Sequence, residues 1–70
     1  MKNLTIIDIM QGLANGTIKN GDLYVDDTMD NFIVVDNNDL YFSYDGDMVK
    51  VQVYQVIDLI ENDTIFSKYN

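Results

Sequence analysis

Apolar residues recur at helical spacing near the beginning of the chain. Thr5, followed three residues later by Asp8, has the form of a helix start in which the two side chains cap each other. The apolar positions that follow form one stripe: Ile6, Ile9, Met10 and Leu13. Asn15-Gly16 supplies residues that tolerate the left-handed conformation at which helices end. This pattern predicts a first helix over about residues 5–14.

After this helix the hydrophobic period changes to two, which predicts strands. The predicted strands are the alternating or apolar segments at residues 23–25, 32–35, 40–44 and 49–53. Asn37-Asn38 and Asp45-Gly46 favour two-residue hairpin loops, whereas residues 26–31 form a longer polar turn. The pattern therefore predicts a four-stranded antiparallel meander.

The two short loops provide a check on each other, because each fixes the register of its hairpin. The Asn37-Asn38 loop sets Val35 opposite Leu40, and the second hairpin loop sets Phe42 opposite Val49. Both registers place the same apolar residues on one face: Ile33, Val35, Leu40, Phe42, Val49 and Val51. A slip of one residue in either hairpin would destroy this agreement, so this face is predicted to form the core.

Helical spacing resumes after Tyr54, where Val56, Ile57, Leu59 and Ile60 are apolar. Thr64-Ile65-Phe66 is then a short β-prone tail able to add an edge strand. The predicted class is α+β: an N-terminal helix, the four-stranded meander, a second helix and a short C-terminal β tail. Both helices are expected on the apolar sheet face, which gives two layers, and residues 1–70 are expected to form a single small domain.

The charge balance limits what the chain can do. It holds 12 acidic and 4 basic residues, for a net charge of −8, and the sequence contains no Arg, His or Cys. The acidic field repels nucleic acids and anionic membranes and attracts basic protein surfaces, so no direct nucleic-acid or membrane partner is expected. Without the usual bases, thiols and anion clamps, we expect no enzyme and no catalytic residue. The acidic loops do not follow a calcium-binding pattern, so no metal site or other cofactor is expected.

The predicted meander brings acids together, because alternate loops lie at the same end of such a sheet. The loops near residues 26–31 and 45–46 share one end, where Asp26, Asp27, Asp30, Asp45 and Asp47 are the predicted partner-binding acids. One interpretation is a nucleic-acid-mimicking surface for a basic groove. The other is that Asp and Asn are favoured in turns and keep a small protein soluble.

The sheet face opposite the predicted core is unusually aromatic. Its expected members are Tyr24, Phe32, Val34, Tyr41, Ser43 and Lys50, and Tyr24 and Tyr41 are candidate apolar contacts for a partner. Two alternatives remain open from the sequence. The face is an interface, including one between two copies in a dimer, or the tail or the entry into the second helix covers it.

Both ends of the chain resemble short proteins of phages and prophages of low-GC Gram-positive bacteria. The opening segment at residues 5–16 (TIIDIMQGLANG) resembles their first helix, and residues 56–65 (VIDLIENDTI) resemble their closing helix and strand. Those proteins often continue with Pro and basic residues after the first helix, where this chain has Thr17-Ile18-Lys19-Asn20.

The resemblance implies an acidic inhibitor comparable to anti-CRISPR proteins, several of which are DNA mimics. Its expected partner is a host nucleic-acid-binding defence protein, such as a CRISPR effector nuclease, in the cytoplasm of the bacterial host. No targeting or membrane-spanning segment is recognised in the sequence, which agrees with that location. The alternative function is a small non-enzymatic adaptor or self-associating module that uses the aromatic sheet face.

Overall fold

The protein is described here by a computed structural model that covers residues 3–69. Its helices and strands are, in chain order, α1 (Ile6–Asn15), β1 (Leu23–Asp26), β2 (Phe32–Asp36), β3 (Asp39–Tyr44), β4 (Asp47–Lys50), α2 (Val53–Glu61) and β5 (Phe66–Lys68). The strands form one antiparallel sheet in the order β4-β3-β2-β1-β5. The predicted α+β class is confirmed: four strands form the meander and the tail adds a fifth beside β1.

The start of α1 is fixed by the reciprocal contacts expected from its sequence. The Asp8 backbone N–H donates to Thr5 Oγ1 at 3.2 Å, and the Thr5 N–H donates to Asp8 Oδ2 at 2.9 Å. The helix ends before Gly16, which has a left-handed φ of 84°. The first predicted helix is therefore confirmed, with its end one residue later than expected.

Both two-residue loops form as predicted. Their residues all have positive φ: Asn37 (51°), Asn38 (59°), Asp45 (47°) and Gly46 (88°). Val35 lies opposite Leu40 and Phe42 lies opposite Val49, which are the expected registers. The predicted registers are thereby confirmed, and Ile33, Val35, Leu40 and Phe42 are buried as expected, but Val49 on the edge strand is 48% exposed. Val51, just after β4, is partly buried against the core.

Both helices pack on this face, so the domain has two layers as expected. Ile6 and Ile9 of α1 join the buried cluster, and Val56 and Leu59 of α2 pack against it. The other buried members of the cluster are Tyr24, Ile33, Val35, Leu40, Phe42 and Phe66. The opposite side of the sheet, here called the open face, has neither helix on it.

The predicted placement of Tyr24 on the open face is wrong. The loop between β1 and β2 sets Tyr24 opposite Ile33 and Val25 opposite Phe32, so Tyr24 points into the core and is only 3% exposed. Its neighbours Leu23 and Val25 occupy the open face instead. The sequence pattern located this loop without fixing its register, and a change of one residue in register reverses the face of every side chain on a strand.

The boundary between β4 and α2 also differs from the prediction. Residues 49–53 were expected to continue as a strand, but β4 ends at Lys50 and α2 begins at Val53. The Gln52 N–H donates to the side-chain Oε1 of Gln55 at 2.7 Å, which occupies a backbone donor at the helix start. Because this contact begins the helix, the strand ends earlier than the alternating valines predict.

The C-terminal tail is an integral part of the sheet. β5 pairs with β1, and the backbone of Phe66 exchanges hydrogen bonds with Leu4 on its other side, at 2.8 and 2.7 Å. The Phe66 side chain has no solvent exposure. The tail therefore holds the start of α1 against the edge of the sheet and fills part of the core.

Candidate protein-binding surfaces

One end of the sheet gathers exposed acids from several parts of the chain. The loops that join β1 to β2 and β3 to β4 lie at this end, as predicted. The segment after α2 reaches the same end, because the Asp27 N–H donates to the carbonyl of Ile65 at 3.1 Å. We call this region the acidic end, and its exposed members are Asp27, Asp30, Asp45, Asp47, Glu61 and Asp63.

The lysines of the described chain lie toward the opposite end of the sheet, here called the lysine end. Lys50 Nζ lies 3.0 Å from Asp39 Oδ2, and Lys68 Nζ lies 3.5 Å from Asp22 Oδ1. Lys19 precedes Asn20, whose side-chain oxygen accepts the Asn38 N–H of the β2–β3 loop. The described lysines are therefore confined to the lysine end, where Asp22, Asp36 and Asp39 balance their charge, and the acidic end keeps an uncompensated negative charge.

The Lys50–Asp39 ion pair relieves a repulsion that the sequence predicts. Asp36 and Asp39 lie directly opposite each other across the β2–β3 hairpin, where two like charges destabilise a sheet. The hydrogen bond from Lys50 and the one from the Leu40 N–H hold the pKa of Asp39 below its usual range. Lys50 is therefore paired at the lysine end and does not offset the negative charge of the acidic end.

Asp26 has a different position from the other predicted contact acids. Its side chain accepts the backbone N–H groups of Asp30 and Asn31 at 2.9 and 3.2 Å. It also accepts the Asn31 amide at 2.8 Å and the Thr28 hydroxyl at 3.1 Å, and the residue is only 4% exposed. Asp26 therefore holds the β1–β2 loop together, and its carboxylate is enclosed by the loop.

The pKa of Asp26 reflects these contacts. Burial pushes this pKa upward, but the hydrogen bonds from Asn31, Thr28 and the Asp30 backbone outweigh the burial and hold the pKa below its ordinary value of 3.8. Asp26 consequently stays ionised at neutral pH inside a closed loop. It adds a negative charge just beneath the acidic end.

Four of the five predicted contact acids are exposed at the acidic end: Asp27, Asp30, Asp45 and Asp47. The β1–β2 and β3–β4 loops are separated by two strand spacings, about 10 Å. The C-terminal end of α2 adds Glu61 to the same region, and the helix dipole is negative there. The arrangement forms a broad negative surface at this end of the sheet.

The open face is partly covered and still apolar. Tyr41, Phe32 and Val34 are half-buried there, and Tyr69 packs edge-on against Phe32 with ring centroids 5.6 Å apart. The tail thus covers the β1–β2 side of this face, which was one of the two alternatives. Tyr41 lies on β3, beyond the strand that Tyr69 contacts, and remains a candidate contact.

The helices and the edge strand β4 expose apolar side chains that the sequence pattern assigned to the core. Ile57 and Ile60 were expected in the buried stripe of the second helix, but they are 49% and 44% exposed. Only Val56 and Leu59 of that stripe reach the buried cluster. Helical spacing indicates an apolar side of a helix, but it does not reveal how wide a band the sheet beneath can cover.

A groove of about 510 Å³ lies between α1 and the β1–β5 side of the sheet, and sequence reasoning missed it. Gln11, Asn15 and Asp22 line it together with Tyr24 and Lys68. Burial raises the pKa of the Tyr24 phenol, and the neighbouring Asp22 carboxylate raises it further. The phenol therefore stays protonated at neutral pH, and the groove combines neutral hydrogen-bonding groups with the Lys68–Asp22 ion pair and the carboxylate of Asp8.

Comparison with known proteins adds nothing to this geometry, since no protein family, curated protein or solved structure matches the chain. Within residues 3–69, no three acidic side chains converge in a way that could hold a metal ion. Neither of the two helices of this region has the length and apolarity required to cross a bilayer. The charge segregation and the exposed apolar surfaces are thus the observations on which a function has to be argued.

Proposed function

We propose that this chain is an inhibitor encoded by a phage or mobile element, which inserts its acidic end into the basic nucleic-acid groove of a host defence protein. A CRISPR effector nuclease is the first target to test. The single observation that supports this function is the segregation of charge: the acidic end exposes six acids, and the described lysines lie toward the other end. The defence target and the origin rest on the resemblance of both chain ends to phage proteins.

The acidic end has the properties that a nucleic-acid mimic needs. Its acids lie on short loops that the sheet holds in place or at the adjoining ends of β4 and α2, so little backbone entropy is lost when they meet a partner. Asp26 fixes the β1–β2 loop from inside through four hydrogen bonds, which orders the backbone that bears Asp27 and Asp30. Charges of one sign on an ordered surface favour fast association that weakens as salt is added.

The proposal is tested first by affinity capture from a Gram-positive lysate that contains CRISPR and restriction systems. We expect the tagged protein to retain a nucleic-acid enzyme that added duplex DNA or raised salt displaces. The purified enzyme should then be inhibited by the protein in a cleavage assay. Capture that neither DNA nor salt affects would contradict a shared nucleic-acid groove.

Charge reversal at the acidic end is the matched mutational test. Asp30→Lys and Asp45→Lys should each weaken binding to the captured enzyme by roughly tenfold at about 0.15 M salt, and the salt dependence should become shallower. Asp36→Lys makes the same change in net charge at the lysine end, so it is the control and should bind within about twofold of the original protein. Equal losses for all three variants would mean that only net charge matters, and no loss would exclude this surface.

The half-buried aromatic residues of the open face favour a second candidate, an adaptor that uses Tyr41. In that case binding persists at high salt, because apolar contacts are not screened. Tyr41→Ala should then reduce partner binding about tenfold or more, while Tyr69→Ala, at the covered side of the face, has a smaller effect. A salt-resistant complex that tolerates Tyr41→Ala would exclude this candidate.

A further inference from the structure

The outer edge of β4 has a free backbone donor and acceptor. The Val51 N–H donates to the carbonyl of Leu40 on β3 at 3.0 Å. Hydrogen-bonded and non-hydrogen-bonded pairs alternate along an antiparallel ladder, so Val49 also points its backbone groups toward β3 and Met48 points its own away from the sheet. Met48 therefore presents both an N–H and a carbonyl at the edge.

The two edges of the sheet differ in this respect. At the β5 edge, Leu4 exchanges two backbone hydrogen bonds with Phe66 and so covers the outward backbone groups of that residue. At the β4 edge, all four residues of the strand are exposed. The carbonyl of Lys50 accepts the Gln52 side chain at 3.2 Å, and among residues 3–69 no strand pairs with the outer side of Met48.

Apolar surface surrounds this open edge on the side where α2 lies. Val49 is 48% exposed although it belongs to the core face, because α2 does not extend over the last strand. The outer side of α2 continues this surface with Val53 and Ile57, which are 77% and 49% exposed. Met48 is 46% exposed and projects from the open face, because it lies opposite Ser43. We use the name β4 edge surface for the exposed large apolar residues of β4, α2 and the end of β3, which are Tyr44, Met48, Val49, Val53, Tyr54, Ile57 and Ile60. Monomeric proteins rarely leave large contiguous apolar areas in solvent.

We infer that the β4 edge surface binds a second copy of this chain, with the two β4 strands antiparallel around a twofold axis near Met48. The sheet then continues from one copy into the other through the outward N–H and carbonyl of Met48. Because a twofold axis perpendicular to the sheet keeps both core faces on the same side, the two α2 helices flank the axis together. The exposed side chains of the two α2 helices and of the two Val49 residues then pack against one another.

Charge complementarity selects this occupant and this orientation. β4 begins with Asp47 at the acidic end and finishes with Lys50 at the lysine end. Antiparallel pairing sets Lys50 of each copy beside the acidic β3–β4 loop of the other, whereas parallel pairing would set Asp47 beside Asp47 and Lys50 beside Lys50. Asp27 and Asp30 lie on the β1–β2 loop, away from the pairing edge, so the dimer still presents two separate acidic ends. This inference goes beyond the proposed function and does not depend on it.

Sedimentation equilibrium and light scattering on the full chain, up to about 1 mM, test the dimer. We expect a mass of twice the 8.0 kDa monomer at high concentration. Met48→Pro removes the outward N–H without breaking a bond to β3, and proline is tolerated on edge strands. It should raise the dissociation constant at least about tenfold, while Met48→Thr, which keeps the N–H, should leave the dimer in place.

A second variant keeps the test decisive if Met48→Pro fails to fold, as judged by circular dichroism. Ile57→Lys introduces a charge on the outer side of α2 and should likewise raise the dissociation constant at least about tenfold. Gln11→Lys makes an equal charge change on an exposed α1 position that lines the groove on the β1–β5 side, and it should remain dimeric. A wild-type protein that stays monomeric throughout, or a dimer that survives both Met48→Pro and Ile57→Lys, would overturn the inference.

Discussion

Replacing Phe66 with alanine should leave the protein largely unfolded at 25 °C. Phe66 has no solvent exposure and is among the largest fully buried side chains. Truncation of a buried phenylalanine costs about 3–5 kcal/mol, which is close to the whole stability that a core of this size supplies. We expect circular dichroism to show a loss of cooperative unfolding, or a melting temperature lower by at least about 15 °C.

Tyr69→Ala is the matched control for Phe66→Ala, because it removes an aromatic ring from the same C-terminal segment. Tyr69 is 57% exposed, and its edge-on contact with Phe32 is the aromatic contact that would be lost. This variant should lower the free energy of unfolding by about 1 kcal/mol or less. If Phe66→Ala melted as close to the original protein as Tyr69→Ala does, the tail would not be part of the core.

Replacing Asp26 with alanine should destabilise the protein by about 2–4 kcal/mol, because several buried donors lose their acceptor at once. The donors left behind include the backbone N–H groups of Asp30 and Asn31. Urea denaturation measured at pH 7 gives this free energy of unfolding. Asp27→Ala is the control, since Asp27 is exposed and its side chain accepts none of these bonds, and it should change stability by no more than about 0.5 kcal/mol. Equal effects of the two substitutions would contradict the structural role of Asp26.

The stabilisation by Asp26 should also depend on pH. Because the pKa of Asp26 is lower in the folded protein than its ordinary value of 3.8, the ionised form stabilises the fold above that pH. The stabilisation is lost as the pH falls below 3.8 and through the folded-state pKa. Asp26→Asn removes this titration, so its free energy of unfolding should approach that of the original protein in acid. A difference between the two proteins that stays constant from pH 6 to pH 2 would contradict this linkage.

The acids of the β1–β2 loop have two different structural positions. Asp26 is enclosed and orders the backbone by accepting its N–H groups, as expected of an Asp favoured in a turn. Asp27 and Asp30 are left exposed to solvent, where they are available to a partner. Variants with Asp30→Lys should therefore fold normally, whereas Asp26→Ala should not, so losses of binding and losses of folding are distinguishable experimentally.

Local signals in the sequence determined most of the secondary structure. The capping pair Thr5–Asp8 and the left-handed loops at Asn37-Asn38 and Asp45-Gly46 act within a few residues, so they can be recognised from the sequence. Because each two-residue loop permits one main register, the face of Ile33 and its partners followed from the sequence as well. The class of fold, the existence of an acidic end and the position of its two loops were determined in this way.

The tertiary structure decided the features that depend on contacts between distant segments. The β1–β2 loop has five residues (27–31) and contains Met29 with a left-handed φ of 60°, which residue preference does not predict. The register that this loop sets turns Tyr24 into the core. The width of the sheet under α2 determined that Ile57 and Ile60 remain exposed, because two helices on one face leave the edge strand β4 uncovered. Pairing of β5 with β1 decided that Phe66 is buried. Local backbone preferences set which elements form, but burial and strand order are set by how those elements share one small core.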